Sequence, residues 1–128
     1  MSKKVDYLTL NDLIEIGTAI VTDFRIRDIG LLESAANRPQ ITVFGDDAYP
    51  DFPTKVAALI HSVARNHALI DGNNRLAWVG GRIYCLMNGF DIQVSHDEAY
   101  DMIIAVASGE LDVQGLSDII AKNLGSAT

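Results

Sequence analysis

HALIDGNNR, at residues 67–75, lies between two segments of helical periodicity. Before it, apolar residues recur every three or four positions, at Phe52, Val56, Leu59, Ile60 and Val63. After it the same spacing continues, at Leu76, Val79, Ile83, Leu86, Met87 and Phe90. Such a stripe is typical of an amphipathic helix. The stretch therefore predicts the end of one central helix, a tight loop and the start of the next helix.

Helical patterns also fill most of the remaining chain. Thr9 and Ser95 each have an acidic residue three positions later, which is the spacing of a capping box. Pro39 disfavours helical geometry at the residue before it, so the second helix is expected to end by Asn37. Gly80-Gly81 costs the fourth helix about 1 kcal/mol per glycine, which predicts close approach of a neighbour. The predicted helices cover about 10–22, 28–37, 51–67, 73–88, 96–108 and 113–123.

Residues 38–50 are the least helical segment of the chain. Ile41-Thr42-Val43-Phe44 is β-prone, and Gly45-Asp46-Asp47 is turn sequence. We expect an ordered loop or short flap there, placed before the central helix-loop-helix. The predicted fold class is all-α: a compact six-helix bundle with a short flap, forming a single domain over residues 1–128.

Composition limits the classes of function. Among 128 residues, 48% are hydrophobic and the formal net charge is -7, which fits a globular domain and argues against direct nucleic-acid binding. The chain has no apolar run of about 18 residues, so no membrane span is expected. Lys3-Lys4 is not followed by an apolar segment, so we expect no signal peptide and a cytoplasmic location. The single cysteine, Cys85, is expected to be a buried, inert thiol.

The residue types of the central stretch favour phosphate chemistry. Backbone N–H groups at Gly72, Asn73 and Asn74, together with the positive end of the next helix, would form an anion site. Arg75 adds a planar cation, and its place at a helix N-terminus is unfavourable unless an anion compensates it. Asp71 is a candidate Mg²⁺ ligand, and His67 can accept a proton near neutral pH. The alternative is structural: Asp-Gly-Asn is common turn sequence, His67 would cap a helix and Arg75 would pair with a surface carboxylate.

The same nine residues resemble the Fic/Doc superfamily signature, His-x-Phe-x-Asp-Gly-Asn-x-Arg. Flanking sequence agrees as well, before the motif and after it: Arg38-Pro39-Gln40, Phe44-Gly45, Tyr49-Pro50, Arg65-Asn66 and Leu76-Ala77-Trp78. The resemblance covers nearly the whole chain and is greatest to the Doc branch, the toxins of Phd–Doc toxin–antitoxin modules.

This resemblance implies a set of roles. His67 would activate a target hydroxyl, Asp71 would hold Mg²⁺, and the backbone of residues 72–74 would hold the phosphates of ATP. Arg75 would stabilise the transferring group. Fic adenylyltransferases usually carry a second arginine three residues later, where this chain has Trp78. Doc-like proteins act instead as kinases that pass the γ-phosphate of ATP to a threonine of elongation factor Tu and thereby inhibit translation.

Two positions depart from the family pattern. Leu69 replaces the usual Phe and should still anchor the loop in the core. Asn74 stands where Doc-like proteins usually have Lys, which predicts an attenuated kinase. Fic-type AMP transfer, or a catalytically silent module that binds an antitoxin, are the alternatives. Trp78 would pack in the core or flank the nucleotide.

The resemblance also implies protein partners. The family's self-inhibitory pattern, Ser or Thr four residues before Glu and then Gly or Asn, is missing from the sequence. Restraint is therefore expected from a separate Phd-like antitoxin. The predicted flap would present a docking edge to the target segment by strand addition, through Gln40, Ile41, Thr42, Val43 and Phe44. An ordered loop without this role is the alternative.

Overall fold

The computed structural model of the chain describes residues 4–127. Six α-helices lie within that range: α1 Leu10–Ile20, α2 Ile29–Asn37, α3 Phe52–Asn66, α4 Asn73–Met87, α5 His96–Ser108 and α6 Val113–Asn123. Four short strands accompany them: β1 Thr42–Val43, β2 Asp46–Asp47, β3 Phe90–Ile92 and β4 Leu124–Ser126. The predicted all-α, six-helix fold class is confirmed. The prediction that Lys3-Lys4 begins no signal peptide falls partly outside the described residues.

Helix α3 is the centre of the bundle. It packs against α2, α4, α5 and α6, and nine of its fifteen residues are buried. The predicted close approach occurs at Gly81 of α4, where a Cβ atom would lie 2.5 Å from Cγ1 of Ile60. An alanine there would displace Ile60, whereas Gly80 has ordinary room beside Leu13. These contacts hold the two helices of the motif against each other.

The helix ends follow the cap residues of the sequence. Thr9 and Ser95 form complete capping boxes, and Asp28 and Asp51 cap α2 and α3. Helix α2 ends at Asn37, so its predicted end is confirmed, but the residue before Pro39 still has the helical geometry that proline disfavours. Arg38 has helical angles (φ -54°, ψ -43°) and begins a 3₁₀ turn over Arg38–Gln40. Its side chain is held there by Tyr49, His61 and Ser62, and this tertiary network overrides the local preference.

The segment predicted as a loop or flap is a β-hairpin. Strands β1 and β2 pair antiparallel around Phe44 and Gly45, which both have positive φ, the geometry of a tight hairpin turn. The side chain of Phe44 is fully exposed. Lys55 of α3 anchors the hairpin, because its almost fully buried Nζ lies 3.2 Å from Oδ2 of Asp47.

A second antiparallel ribbon, β3 with β4, was not predicted. It joins Phe90, Asp91 and Ile92 to the end of the described chain. Cys85 is buried as expected, and burial raises the pKa of its thiol to about 12, so the thiol stays protonated and inert. None of the described helices is long and apolar enough to cross a membrane.

Candidate active site

The site begins where α3 ends. His67 adopts a left-handed conformation (φ 52°, ψ 45°), which turns the chain out of the helix and leaves its side chain exposed. A left-handed backbone is uncommon for a residue other than glycine and needs support. That support comes from Arg27, whose Nε donates to the His67 carbonyl oxygen at 2.9 Å and whose Nη2 donates to the same atom.

The loop after His67 is fixed by a neighbouring extended segment, residues 25–28. Ile26 and Leu69 form an antiparallel bridge, and the Arg27 N–H donates to the Ala68 carbonyl oxygen at 2.8 Å. The side chain of Leu69 is buried, so the prediction that it anchors the loop in the core is confirmed. The loop is therefore fixed by backbone hydrogen bonds to residues 25–28 and by the buried side chain of Leu69.

Asn73 closes the loop with its side chain. Its Oδ1 accepts from the Leu69 N–H at 3.0 Å, and its Nδ2 donates to the Leu69 carbonyl oxygen at 3.1 Å. Gly72 has φ 89°, and a Cβ atom there would lie 2.6 Å from Cγ2 of Val21. Both conformation and space therefore require glycine at the start of α4.

Backbone donors face outward at that helix start. The Gly72 N–H already donates to Oδ1 of Asp71 at 2.8 Å. Within residues 4–127, the N–H groups of Asn73, Asn74 and Arg75 have no acceptor, as is general for the first turn of an α-helix. The positive end of the α4 dipole adds to them. Of the predicted phosphate-binding backbone, residues 73–75 therefore keep free N–H donors, whereas the Gly72 N–H is already used and Gly72 sets the turn.

Arg75 has a partner that the sequence did not indicate. Its Nη1 donates to the Ile20 carbonyl oxygen at 3.2 Å, at the C-terminus of α1. The negative end of that helix offsets the unfavourable placement of Arg75 at the start of α4. The guanidinium is exposed and still faces the cavity, so it remains available to an anion.

The predicted catalytic and phosphate-binding residues of the motif line one cavity of about 400 Å³. Its lining consists of Val21, Thr22, His67, Ile70, Asp71, Gly72, Asn73, Asn74 and Arg75. The predicted flap residues, 40–44, lie outside it. Sequence reasoning missed Val21 and Thr22, since their place depends on how α1 packs, and it missed Arg27, which lies 40 residues from its acceptor.

The cavity fits a Mg²⁺ ion shared with phosphates. Asp71 is the carboxylate in its lining, and Oδ2 of Asp71 has no hydrogen-bond partner in the described part of the chain. The described residues contain no cluster of three or more His, Cys, Asp or Glu side chains that would hold a metal alone. Mg²⁺ is commonly bound by one or two carboxylates, substrate phosphates and waters. The donor set suits that mode and does not suit a cage made of protein alone.

The part of the chain that contains this cavity is similar to known proteins. Residues 7–85 match the Fic/DOC family. A protein named Toxin Doc from Mycolicibacterium smegmatis is 40% identical over 119 residues, which cover 91% of this chain and 92% of that protein. A protein named Protein kinase doc from Escherichia phage P1 is 28% identical over 100 residues, 78% of each chain. The matched family region contains the whole cavity lining described above.

Proposed function

The chain belongs to the Fic/DOC family, and from this premise we propose that it is a Doc-type toxin with protein kinase activity. It transfers the γ-phosphate of ATP to a protein hydroxyl, with a threonine of elongation factor Tu as the expected target and arrested translation as the result. The gathering of His67, Asp71, Arg75 and three free backbone donors in one cavity carries this proposal. The names of the two relatives support it.

The residues divide the work of a phosphoryl transfer. The N–H groups of residues 73–75 and the Arg75 guanidinium hold and neutralise the terminal phosphate. Mg²⁺ held at Asp71 would screen charge on the phosphate chain. His67 accepts the proton of the target hydroxyl on a ring nitrogen as that oxygen bonds to the γ-phosphorus. The bond from the γ-phosphorus to its bridging oxygen breaks, and ADP leaves with the electron pair.

Trp78 favours γ-phosphate transfer over AMP transfer. AMP transfer puts the α-phosphate beside His67, so the β- and γ-phosphates have to extend along α4 and need a cation there. At that point this chain has the indole of Trp78 in place of a second arginine. Trp78 lines a cavity beside α4 in which Arg75 is the arginine or lysine among the lining residues. An apolar wall is a poor place for two phosphates.

Labelled ATP tests the reaction. With Mg²⁺ and purified elongation factor Tu, γ-labelled ATP should label the factor and α-labelled ATP should not. His67→Ala should abolish the label while the chain still folds, because His67 is exposed. Label from α-labelled ATP would replace the kinase with an AMP transferase. No label from either, with this chain and with its Asn74→Lys variant, would reject both enzymes.

Asn74 is the position expected to limit the rate. Its exposed side chain lines the cavity beside the phosphate donors and supplies no charge. Asn74→Lys should raise phosphate transfer by roughly tenfold, the difference between a neutral and a charge-assisted hydrogen bond to phosphate. Asn74→Met, similar in length to Lys but uncharged, is the control. Equal rates for both variants would show that charge at this position is irrelevant.

The hairpin is the proposed docking edge for the target. Phe44 at its tip is fully exposed, and Ile41 and Val43 are exposed beside it. An extended target segment would add to the β1 edge and place its hydroxyl at the cavity. Replacing Phe44 with Ser should raise the KM for the target and leave ATP binding unchanged.

A catalytically silent, antitoxin-binding module is the second candidate, and the uncharged Asn74 favours it. In both cases a Phd-like antitoxin is the proposed partner. Co-expression with the product of an adjacent short gene should relieve growth arrest if the chain is a toxin. A complex that forms without any toxicity or phosphate transfer would favour the silent module.

A further inference from the structure

Thr22 is a hydroxyl-bearing residue of the catalytic cavity that the mechanism above does not use. It lines the cavity together with His67, Asp71 and Arg75, and no other Ser, Thr or Tyr among the described residues does so. Thr22 is exposed, and its hydroxyl makes no hydrogen bond within residues 4–127. A free threonine hydroxyl therefore lies in the cavity where the proposed reaction phosphorylates a threonine hydroxyl.

Thr22 belongs to a turn that packs against the motif loop. The preceding residue, Val21, is buried, and its Cγ2 would lie 2.6 Å from a Cβ atom at Gly72, so the turn rests directly on that glycine. The Val21 N–H donates to the Gly17 carbonyl oxygen at 2.9 Å, and Asp23 has a left-handed conformation (φ 56°). The fold itself therefore holds Thr22 at the edge of the cavity.

The same turn is bonded to the arginine of the site. Nη1 of Arg75 donates to the Ile20 carbonyl oxygen at 3.2 Å. Two residues of chain span at most about 7 Å even when they are extended, so Thr22 lies close to the Arg75 guanidinium. His67 borders the same cavity. The hydroxyl, the proposed base and the cation that holds the terminal phosphate therefore surround one space.

We propose that Thr22 is a self-phosphorylation site of this chain, and that the phosphate placed there occupies the anion site. The inference rests on the proposed function, because the phosphate comes from the ATP of that reaction. His67 accepts the proton of the Thr22 hydroxyl as Oγ1 bonds to the γ-phosphorus. The bond from that phosphorus to its bridging oxygen breaks, and ADP leaves with the electron pair. The product is phosphothreonine at position 22, and His67 returns its proton to solvent.

A phosphate on Thr22 would bind the groups that otherwise hold ATP. It carries nearly two negative charges at neutral pH and three acceptor oxygens, which suit the free N–H donors of residues 73–75 and the Arg75 guanidinium. Asp71 in the lining and Asp23 beside Thr22 repel it, although Asp23 is paired with Arg25. This repulsion directs the phosphate toward the start of α4. Self-phosphorylation therefore competes with ATP and slows further transfer.

Mass spectrometry of the chain after incubation with Mg²⁺ and ATP tests the acceptor. The parent should gain one phosphate, on Thr22, whereas Thr22→Val and His67→Ala should gain none. Thr18→Val is the matched control, because Thr18 lies outside the cavity and its hydroxyl donates to the Ile14 carbonyl oxygen at 2.8 Å. This variant should be phosphorylated as the parent is. Equal phosphorylation of Thr22→Val and the parent, or an AMP group on Thr22, would overturn the proposal.

Transfer within one chain has its own signature. The fraction of chains modified at a given time should not depend on protein concentration, and the parent should not modify a His67→Ala chain mixed with it. Modification of that inactive chain at Thr22 would show transfer between chains, which contradicts the shared cavity.

Occupation of the anion site can be tested without any transfer reaction. A chain synthesised with phosphothreonine at position 22 should bind inorganic tripolyphosphate with Mg²⁺ at least roughly tenfold more weakly than the parent, because its own phosphate holds the donors. A chain with phosphothreonine at position 18 is the control and should bind as the parent does. Equal affinity for the chain modified at position 22 would show that its phosphate stays outside the anion site.

Failure of this inference is distinguishable from failure of the kinase proposal. If elongation factor Tu is labelled by γ-labelled ATP while Thr22 stays unmodified, the kinase stands and the self-phosphorylation site is wrong. If Thr22 is phosphorylated but the factor is not, the self-phosphorylation site stands and the proposed target is wrong. If neither is phosphorylated, with this chain and with its Asn74→Lys variant, both proposals are wrong.

Discussion

Arg27 is the residue that most directly controls the conformation of the proposed base. Its fork donates twice to the carbonyl oxygen of His67, at the left-handed turn that ends α3. A single short donor cannot reproduce that fork. Arg27→Gln should therefore lower phosphate transfer roughly tenfold, because a small displacement of a reacting group is costly, with ATP affinity unchanged. Steady-state kinetics and calorimetry on the same preparations would measure both.

Arg25 provides the matched control for that substitution. It lies two residues away on the same segment, is exposed, and pairs with Asp23 in an exposed ion pair. Arg25→Gln removes the same charge without touching His67 and should leave kcat near the parent value. In a His67→Ala background, Arg27→Gln should have no further effect on transfer. Equal losses for the Arg25 and Arg27 variants would mean that net charge, rather than the clamp on His67, sets the rate.

At the scale of elements, the ion pair between Lys55 and Asp47 links the hairpin directly to α3. Lys55 is almost fully buried, and its Nζ is shared by Asp47, the Pro39 carbonyl oxygen at 3.4 Å and the face of the Tyr7 ring. Asp47→Asn leaves this ammonium with weaker partners and frees the hairpin from the bundle. We expect a loss of about 1–2 kcal/mol in the free energy of unfolding, measured by urea titration.

The same substitution should also separate target docking from ATP binding. If the hairpin presents the docking edge, Asp47→Asn raises the KM for the protein target severalfold and leaves the KM for ATP unchanged. Asp46→Asn is the control, because Asp46 lies on the same strand and makes no ion pair in the described part of the chain. If Asp47→Asn lowers the stability but leaves the KM for the target unaltered, the contact between Lys55 and Asp47 has a structural role alone.

Elements defined by local sequence could be predicted, and those defined by distant contacts could not. The capping boxes at Thr9 and Ser95 and the turn at Gly72 involve residues within a few positions of one another. The ribbon of β3 and β4 joins residues 90–92 to 124–126, and strands of three residues carry no readable alternation. The burial of Lys55 likewise arises only when the hairpin closes over α3.

In the candidate site, too, the features set by local sequence could be predicted and those set by distant contacts could not. The motif residues were predicted as a group because they are consecutive, and seven of the nine line the cavity, namely His67 and residues 70–75. The other two, Ala68 and Leu69, are buried. The bond from Arg75 to the Ile20 carbonyl oxygen, and the place of Val21 in the lining, follow from the packing of α1 against α4. Asn73 was predicted for its backbone alone, whereas its side chain binds Leu69. The chemistry of a residue type does not show whether its side chain will bond within the protein or stay free for a ligand.

For the whole molecule, the net charge of -7 counts every Lys and Arg side chain, including those that are bonded within the fold. Several Lys and Arg side chains are engaged within the fold: Arg27 at a carbonyl, Arg38 at Tyr49, Lys55 at Asp47 and Arg82 at Asp91. A protein that binds along the phosphates of a nucleic acid needs a cluster of free Lys and Arg side chains. The bonds within this fold reduce the number of such free side chains further. An isolated phosphate chain needs only the start of α4 and Arg75, which suits a nucleotide in an otherwise acidic molecule.

His61 makes the stability of the whole molecule dependent on pH. Its Nδ1 lies 2.9 Å from Nη1 of Arg38, and since arginine can only donate, the ring nitrogen accepts and the imidazole is neutral. Burial, then Arg38, then Arg65 lower the pKa of His61, with Asp112 opposing them. Below about pH 6.5 the unfolded chain therefore binds more protons than the folded chain. The free energy of unfolding should fall as pH drops below that value, and level off once His61 is protonated in both states.

His61→Gln tests this dependence, because the Gln carbonyl oxygen can still accept from Arg38 and has no proton to gain. Urea titrations between pH 8 and 5 should show a smaller fall in the free energy of unfolding for the variant than for the parent. His96→Gln is the control: His96 is exposed on α5 and should leave the parent's dependence intact. If the free energy of unfolding falls equally with pH in the His61 variant and the parent, the Arg38 network tolerates a charged imidazole. That result would contradict the assignment of His61 Nδ1 as an acceptor from Arg38.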